Sequence, residues 1–202
     1  MQSLPKPFII LASGSPRRAA LLKAAGFAFE ILPSQAEEKQ ASHDDVHQVV
    51  EENACIKGED VVAKLRASGR EFTHETLLLA ADTLVVMKQK VYGKPKDLRQ
   101  AETFLHELGG KAHQVLTGVY LYHFQTRRAH HFHEVTKVVL KTLTAAQMRT
   151  LFQRVNPLDK AAAYGYQDAP EIVERLQGSS SNVIGLPMER LQQELVAFMA
   201  PA

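Results

Sequence analysis

The chain is poor in the residue types that mark specialised classes of protein, and each shortage narrows its function. One cysteine among 202 residues, Cys55, excludes an intramolecular disulfide framework and any Cys-rich zinc site, and it fits a reducing, cytoplasmic compartment. Charge of one sign is scarce: 24 Lys+Arg against 22 Asp+Glu leave a net charge of +2. That gives no broad attraction to nucleic acid or to an anionic membrane surface, so neither is expected as a partner. Basic chemistry must be local. No stretch approaches the ~18 apolar residues of a membrane span, and the apolar run Phe8–Ala12 is too short for a signal-peptide core. Internal repeats, low-complexity tracts and linkers rich in Pro, Gly or Ser are also lacking. The remaining composition, 45% hydrophobic, suffices for a sizeable core and reads as one domain over residues 1–202.

Phe8-Ile9-Ile10-Leu11-Ala12 is apolar on both faces, which predicts a buried central strand. Ser13-Gly14-Ser15 ends it. Ser15 followed by Pro16 is the order of an N-cap and a first helical proline, and the helix should stop at Gly26. A strand is expected over 27–32 and a helix from Asp44 to Leu65, with Gly58 a candidate break. Leu77–Met87 is apolar except for Asp82-Thr83, followed by a turn at 88–90 and a short return strand at Val91-Tyr92. Asp97 should cap a helix ending at Gly109-Gly110. Strands over 113–122 and 133–140, a Thr144-capped helix to about Val155, a turn at 161–164, a strand over 172–176 and a helix over Met188–Met199 complete the chain. Strands alternate with helices early but adjoin in the middle, so the fold class is α/β with a mixed twisted sheet flanked by helices.

Three segments could carry chemistry. A helix N-terminus offers unpaired N–H groups and positive dipole, so Ser13-Gly14-Ser15 leading into Pro16-Arg17-Arg18 is built as a phosphate site; the bland alternative is a capped helix with solvated arginines. It is not a Walker A loop, because no Gly-Lys-Ser/Thr follows. Asp82, within an apolar run, would cost several kcal/mol to bury ionised without a partner; the alternative is a strand end facing solvent. Lys94 in Gly93-Lys94-Pro95 could supply a nearby cation. Asp159-Lys160-Ala161-Ala162-Ala163-Tyr164-Gly165-Tyr166-Gln167 permits close backbone approach, and Gln167 offers a donor and an acceptor to a base edge. Glu37-Glu38 reads as a solvated loop pair with metal ligation as the alternative. Among His130, His131 and His133, consecutive positions on a strand face opposite ways, which favours a surface strand over a metal site. Cys55 reads as a small buried apolar group.

Together with Leu11-Ala12, Ala81-Asp82-Thr83, His113-Gln114-Val115-Leu116-Thr117-Gly118-Val119 and Gly185-Leu186-Pro187, these motifs resemble, in order and spacing from about residue 8 to 195, the Maf family of nucleoside triphosphate pyrophosphatases. The resemblance implies a fold like that of inosine triphosphate pyrophosphatases, with two lobes around a cleft, a divalent metal (Mg²⁺ or Mn²⁺), and hydrolysis of a nucleoside triphosphate to monophosphate and pyrophosphate. It implies that Asp82 is the proton acceptor, with Lys57 and Lys94 as catalytic lysines, Glu38 and Asp82 at the metal, and Ser13, Ser15, Arg17 and Arg18 on phosphate. Arg18, Thr83 and Gln167 match the specificity positions of the dTTP/UTP branch, whose role would be housecleaning of nucleotide pools. The alternative is a nucleotide-binding regulator of cell division or septum formation. The sequence leaves the oligomeric state open, a homodimer included. It departs from the family pattern at Ala162, where Gly is usual, and at Asp168, where Gly follows the glutamine; both bear on the base pocket.

Overall fold

The computed structural model describes residues 6–42 and 45–200. The chain runs β1 (Phe8–Leu11), α1 (Pro16–Ala24), β2 (Phe29–Ile31), α2 (Val46–Ala67), β3 (Thr76–Met87), β4 (Lys90–Tyr92), α3 (Leu98–Leu108), β5 (Ala112–His123), β6 (Ala129–Leu140), α4 (Ala145–Arg154), β7 (Val173–Gln177), α5 (Ser180–Ile184) and α6 (Met188–Met199), with short 3₁₀ turns at 161–163 and 170–172. The expected mixed sheet is present. Its order is β2-β1-β3-β5-β6-β7, with β4 also on β3; β1 pairs parallel with β2 and β3, and the other pairings are antiparallel.

The pairing of β3 creates the central feature. On one edge β1 accompanies β3 only as far as Leu79, and β4 joins that strand only from Val85 onward. Residues 80–84, including Asp82 and Thr83, therefore face a gap in the sheet on that edge, while β5 pairs with them continuously on the other. Strand alternation then sorts the two polar residues to opposite faces. Leu78 and Ala80 pack toward α2 with Ala54, Val61 and Leu65, and Asp82 continues that face. Leu77, Leu79 and Ala81 pack with Leu22 of α1 and Leu191 and Leu195 of α6, and Thr83 continues that one. A separate apolar core beyond the gap joins Val85, Tyr92, Phe104, Leu108, Val138 and Leu151 beneath α3 and α4.

Several local expectations need correction. Gly58 does not break α2, which is continuous to Ala67. A Cβ at Gly58 would lie 2.2 Å from Tyr120 Cδ1, so this glycine lets the helix lie against the sheet. Gly118, opposite Asp82 on β5, does the same more strictly: its Cβ would stand 2.2 Å from the Val50 carbonyl oxygen. The strand expected from His133 begins at Ala129, because its pairing with β5 continues to Tyr122↔Ala129. The Gly-Ser-Ser-Ser-Asn segment holds the short helix α5, capped by Ser179, which accepts from Asn182 N. Asp44, the expected start of α2, and both ends of the unit expected over 1–202 lie outside the described residues.

Candidate active site

The gap in the sheet opens into a cavity of about 620 Å³ whose walls come from the β1–α1 loop, the middle of β3, Gly93-Lys94 after β4, and Asp159–Gly165. Its first wall follows from the helix start. Ser15 caps α1, its hydroxyl accepting from Arg18 N at 3.5 Å, and Pro16 occupies the first turn. This leaves Ser13, Ser15 and the backbone of 13–17 facing the cavity at the positive end of the helix.

Arg18 is buried, and all of its guanidinium nitrogens are engaged. Nε donates to the Gly185 carbonyl (2.8 Å), Nη1 to Ser13 Oγ (2.9 Å) and Nη2 to Thr83 Oγ1 (3.1 Å). Burial lowers its pKa from the ordinary arginine value, against the opposing pull of Asp82. Arg18 thus braces the β1–α1 loop against β3 and the turn before α6. Arg17 is freer: it contacts Asp159, through Nη1 to Oδ2 at 3.5 Å and Nη2 to the carbonyl at 3.3 Å.

On the α2 face, Asp82 is 5% exposed, so the solvent-facing alternative fails. Lys57 Nζ donates to Asp82 Oδ1 at 2.8 Å and pairs with Glu38 Oε1 at 2.7 Å, so one ammonium bridges two carboxylates. Glu38 itself is largely exposed but is not merely solvated. Asn53, which the sequence reading did not single out, donates from Nδ2 to Asp82 Oδ2 (3.1 Å) and to the Lys39 carbonyl (3.1 Å), and its Oδ1 accepts from Lys39 N (2.7 Å). It ties Asp82 to the loop bearing Glu38. The available signal was an amide on the buried stripe of α2, four residues before Lys57.

Across the cavity, Lys94 is exposed on its loop and makes no ion pair among the described residues. Lys160 is 5% exposed and contacts Asp159 Oδ1 (2.6 Å), the Asn156 carbonyl (2.8 Å) and Asp168 Oδ2 (3.1 Å). The unusual Asp168 therefore neutralises a buried lysine. Ala162 has a left-handed backbone with φ 56°, a conformation that favours glycine, and its N–H donates to the Gly93 carbonyl at 3.0 Å. Behind this wall, His113 Nε2 lies 2.7 Å from the Tyr164 hydroxyl; burial pushes the imidazole down to about 4 and raises the phenol.

Gln167 stands apart from the other candidates. It is exposed and lines an adjoining cavity of about 500 Å³ that shares Arg17, Asp159 and Lys160 with the main one. Arg18 and Thr83 are hydrogen-bonded to each other in the main cavity, whereas Gln167 lines the adjoining one. Cys55 is half-buried rather than fully buried, and burial pushes its thiol up to about 11, away from the thiolate form. Among the described residues no three or more His, Cys, Asp or Glu side chains converge as a metal cage, and no helix is long and apolar enough to cross a membrane.

Comparison with known proteins places these features in a family. The sequence profile described as "Maf-like protein" matches residues 8–198. The chain is 40% identical to a dTTP/UTP pyrophosphatase of Acetivibrio thermocellus over 94% of each chain. It is 38% identical to proteins of the same name from Carboxydothermus hydrogenoformans, over 93% of this chain and 96% of that one, and Bacillus cytotoxicus, over 94% of each. A solved structure, the Staphylococcus aureus Ham1 protein, aligns over 95% of this chain and 99% of that one with a TM-score of 0.49 and 16% identity. With the profile covering nearly the whole chain and relatives at these identities, the protein belongs to the Maf-like family.

Proposed function

We propose that this protein is a nucleoside triphosphate pyrophosphatase that hydrolyses dTTP and UTP to the monophosphate and pyrophosphate. The observation that carries the proposal is the buried Asp82 with its Lys57–Glu38 bridge, set at the sheet gap in the same cavity as the Ser13–Arg18 loop. Its relatives named dTTP/UTP pyrophosphatase support the substrate. A cytoplasmic location follows from a substrate drawn from the nucleotide pool, and the chain acts as one catalytic unit.

The reaction requires water to attack the α-phosphorus, the α–β phosphoanhydride P–O bond to break, and pyrophosphate to leave with that electron pair. The backbone of Ser13–Ser15 and the Arg17 guanidinium hold phosphate oxygens, with Lys94 and Lys160 closing on the chain from the opposite wall. Asp82 receives the water's proton at a carboxylate oxygen. Asn53 and Lys57 fix that carboxylate in place.

The residues fit a hard divalent cation, Mg²⁺ or Mn²⁺, because Glu38 and Asp82 present carboxylate oxygens close enough to share one ammonium. Glu38 and Asp82 would hold it. When bound, the ion supplies charge neutralisation on the phosphate oxygens and lowers the pKa of a nearby water.

Base selection rests on Arg18, Thr83 and Gln167. Uracil and thymine present two acceptors around one N–H donor, a pattern that an amide and neighbouring donors match; cytosine replaces one acceptor with a donor. The test is a panel of common and modified nucleoside triphosphates with Mg²⁺ and with Mn²⁺, reading released pyrophosphate. dTTP and UTP should lead in kcat/KM. Stoichiometric nucleotide binding without pyrophosphate release would instead establish the nucleotide-sensing regulator.

A further inference from the structure

Helix α2 carries a second group of polar side chains on its outer flank, away from Asn53 and Lys57. His47 and Glu51, one turn apart, face His131 and His133, which alternation places on the same face of β6. His133 Nδ1 and His131 Nδ1 each contact one oxygen of Glu51, the latter at 2.6 Å. The other nitrogen of His133, Nε2, lies 3.1 Å from His47 Nδ1. Their surrounding cavity of about 570 Å³ shares no lining residue with the candidate active site.

We propose that this cluster is a second divalent-metal site, selective for a nitrogen-seeking ion such as Zn²⁺, with His47 Nδ1 and His133 Nε2 as its ligands. Two imidazole nitrogens bound tetrahedrally to zinc at ~2.0–2.1 Å stand ~3.3 Å apart, so the observed pair is spaced almost as a zinc ion requires. Glu51 supplies the orienting partner. By accepting a hydrogen bond from His133 Nδ1–H it leaves the Nε2 lone pair free, the carboxylate–histidine arrangement that fixes tautomer and ring direction in metal sites. His131 holds the second Glu51 oxygen and so sets that carboxylate's orientation. A shift of the His47 proton to Nε2 then completes the pair of lone pairs without net proton release. Two ring nitrogens bind the ion and water fills the remaining positions. Imidazole nitrogens suit Zn²⁺ and Cu²⁺ whereas Mg²⁺ prefers oxygen ligands, which separates this site from the carboxylate pair at Asp82.

The test uses the full chain with Mg²⁺ in excess to occupy the carboxylate site, titrated with Zn²⁺ by calorimetry and, in parallel, with Cu²⁺ read by electron paramagnetic resonance. One Zn²⁺ per chain should bind, and the Cu²⁺ spectrum should show imidazole nitrogen coupling. His47→Gln and His133→Gln should each weaken Zn²⁺ by at least about tenfold, as should Glu51→Gln through loss of orientation. His106→Gln, an exposed histidine on α3, should leave binding unchanged. Mg²⁺-dependent pyrophosphate release should stay within about twofold in His47→Gln and His133→Gln, showing both variants folded. Equal Zn²⁺ affinity in wild type and these two variants, an equal loss in His106→Gln, or no stoichiometric binding to wild type would each overturn the proposal. None of these outcomes depends on which nucleotide the enzyme prefers.

Discussion

Replacing Asn53 by alanine should damage stability and turnover together, because one buried amide serves both. The side chain, 1% exposed, makes two hydrogen bonds to the Lys39 backbone and one to Asp82 Oδ2. A neutral hydrogen bond contributes about 1 kcal/mol and one to a charged group about 1.5–3 kcal/mol, and losing them strands their partners in a part-buried site. Asn53→Ala should therefore cost about 4 kcal/mol, which for a chain of this length lowers Tm by about 8–16 °C. The catalytic loss has a separate origin. Asp82 keeps its charge and its Lys57 partner but gains rotational freedom, and the Glu38 loop loses its tie to α2. A misplacement of this kind should reduce kcat roughly ten- to a hundredfold. KM should change less, because the phosphate loop is untouched. Asn53→Asp sharpens the test: nearly the same shape places a second carboxylate against Asp82, and like charges so close raise the pKa of one of them. Its acid limb of activity should move to higher pH. Thermal melts and pyrophosphate-release kinetics measure both effects. A folded Asn53→Ala protein with wild-type Tm and kcat would refute the positioning role.

Asp82→Asn keeps size and removes the proton acceptor, so turnover should fall by about two orders of magnitude in a folded protein; near-normal pyrophosphate release would sink that role. Arg17→Ala and Lys94→Ala should impair dTTP, UTP and CTP hydrolysis by similar factors, whereas an effect confined to one base would show that they read the base. Gln167→Ala should erode discrimination between bases by roughly ten- to a hundredfold while pyrophosphate release persists, and unchanged kcat/KM ratios would remove Gln167 from base selection. For His113, whose folded pKa of about 4 lies below the ordinary 6.5, the unfolded chain takes up the proton first as pH falls. Its contribution is intact above about pH 6.5 and lost toward pH 4, on the order of 3 kcal/mol, so His113→Gln should flatten the acid limb of a denaturation-versus-pH curve.

Local signals made much of the fold legible. The both-sided apolar run at Phe8–Leu11, the Ser15-Pro16 start of α1, the Asp97 cap of α3 and the Thr144 cap of α4 all mark elements that are present. The capping residues succeed because their hydrogen bonds lie within three residues of sequence. Features set by distant partners were not legible. Gly58 looks like a helix break until Tyr120 is seen against it, and the polar start of β6 becomes strand only because β5 extends alongside it. At the site, Asp82 was conspicuous because a charge in an apolar run is costly. Asn53 was not, because a neutral amide on a long amphipathic helix carries no such penalty until its partners are known. The same reasoning covers the histidines. His130, His131 and His133 in sequence say surface strand, and only the approach of α2 brings His47 to 3.1 Å from His133.

The charge pattern of the main cavity links its resting structure to its proposed reaction. Five cationic side chains line it, Arg17, Arg18, Lys57, Lys94 and Lys160, against three carboxylates, Glu38, Asp82 and Asp159. The carboxylates are not distributed evenly. Lys57 is shared by Glu38 and Asp82, and Lys160 is held by Asp159 with help from Asp168 outside the cavity. Arg18 is committed to neutral oxygens of Ser13, Thr83 and Gly185, and Lys94 has no ion pair among the described residues. The positive excess is thus carried by Arg17 and Arg18 at the start of α1 and by Lys94, while the negative charge gathers at the α2 side around Asp82. A triphosphate carrying one divalent cation has the complementary pattern, with anionic oxygens for the first region and a metal for the second. That complementarity requires α2 to approach the sheet closely, because Asn53 and Lys57 must reach Asp82. Gly118 permits it, having no Cβ where the Val50 carbonyl oxygen would stand 2.2 Å away. The polarity of the site and the packing of its longest helix therefore depend on the same contact.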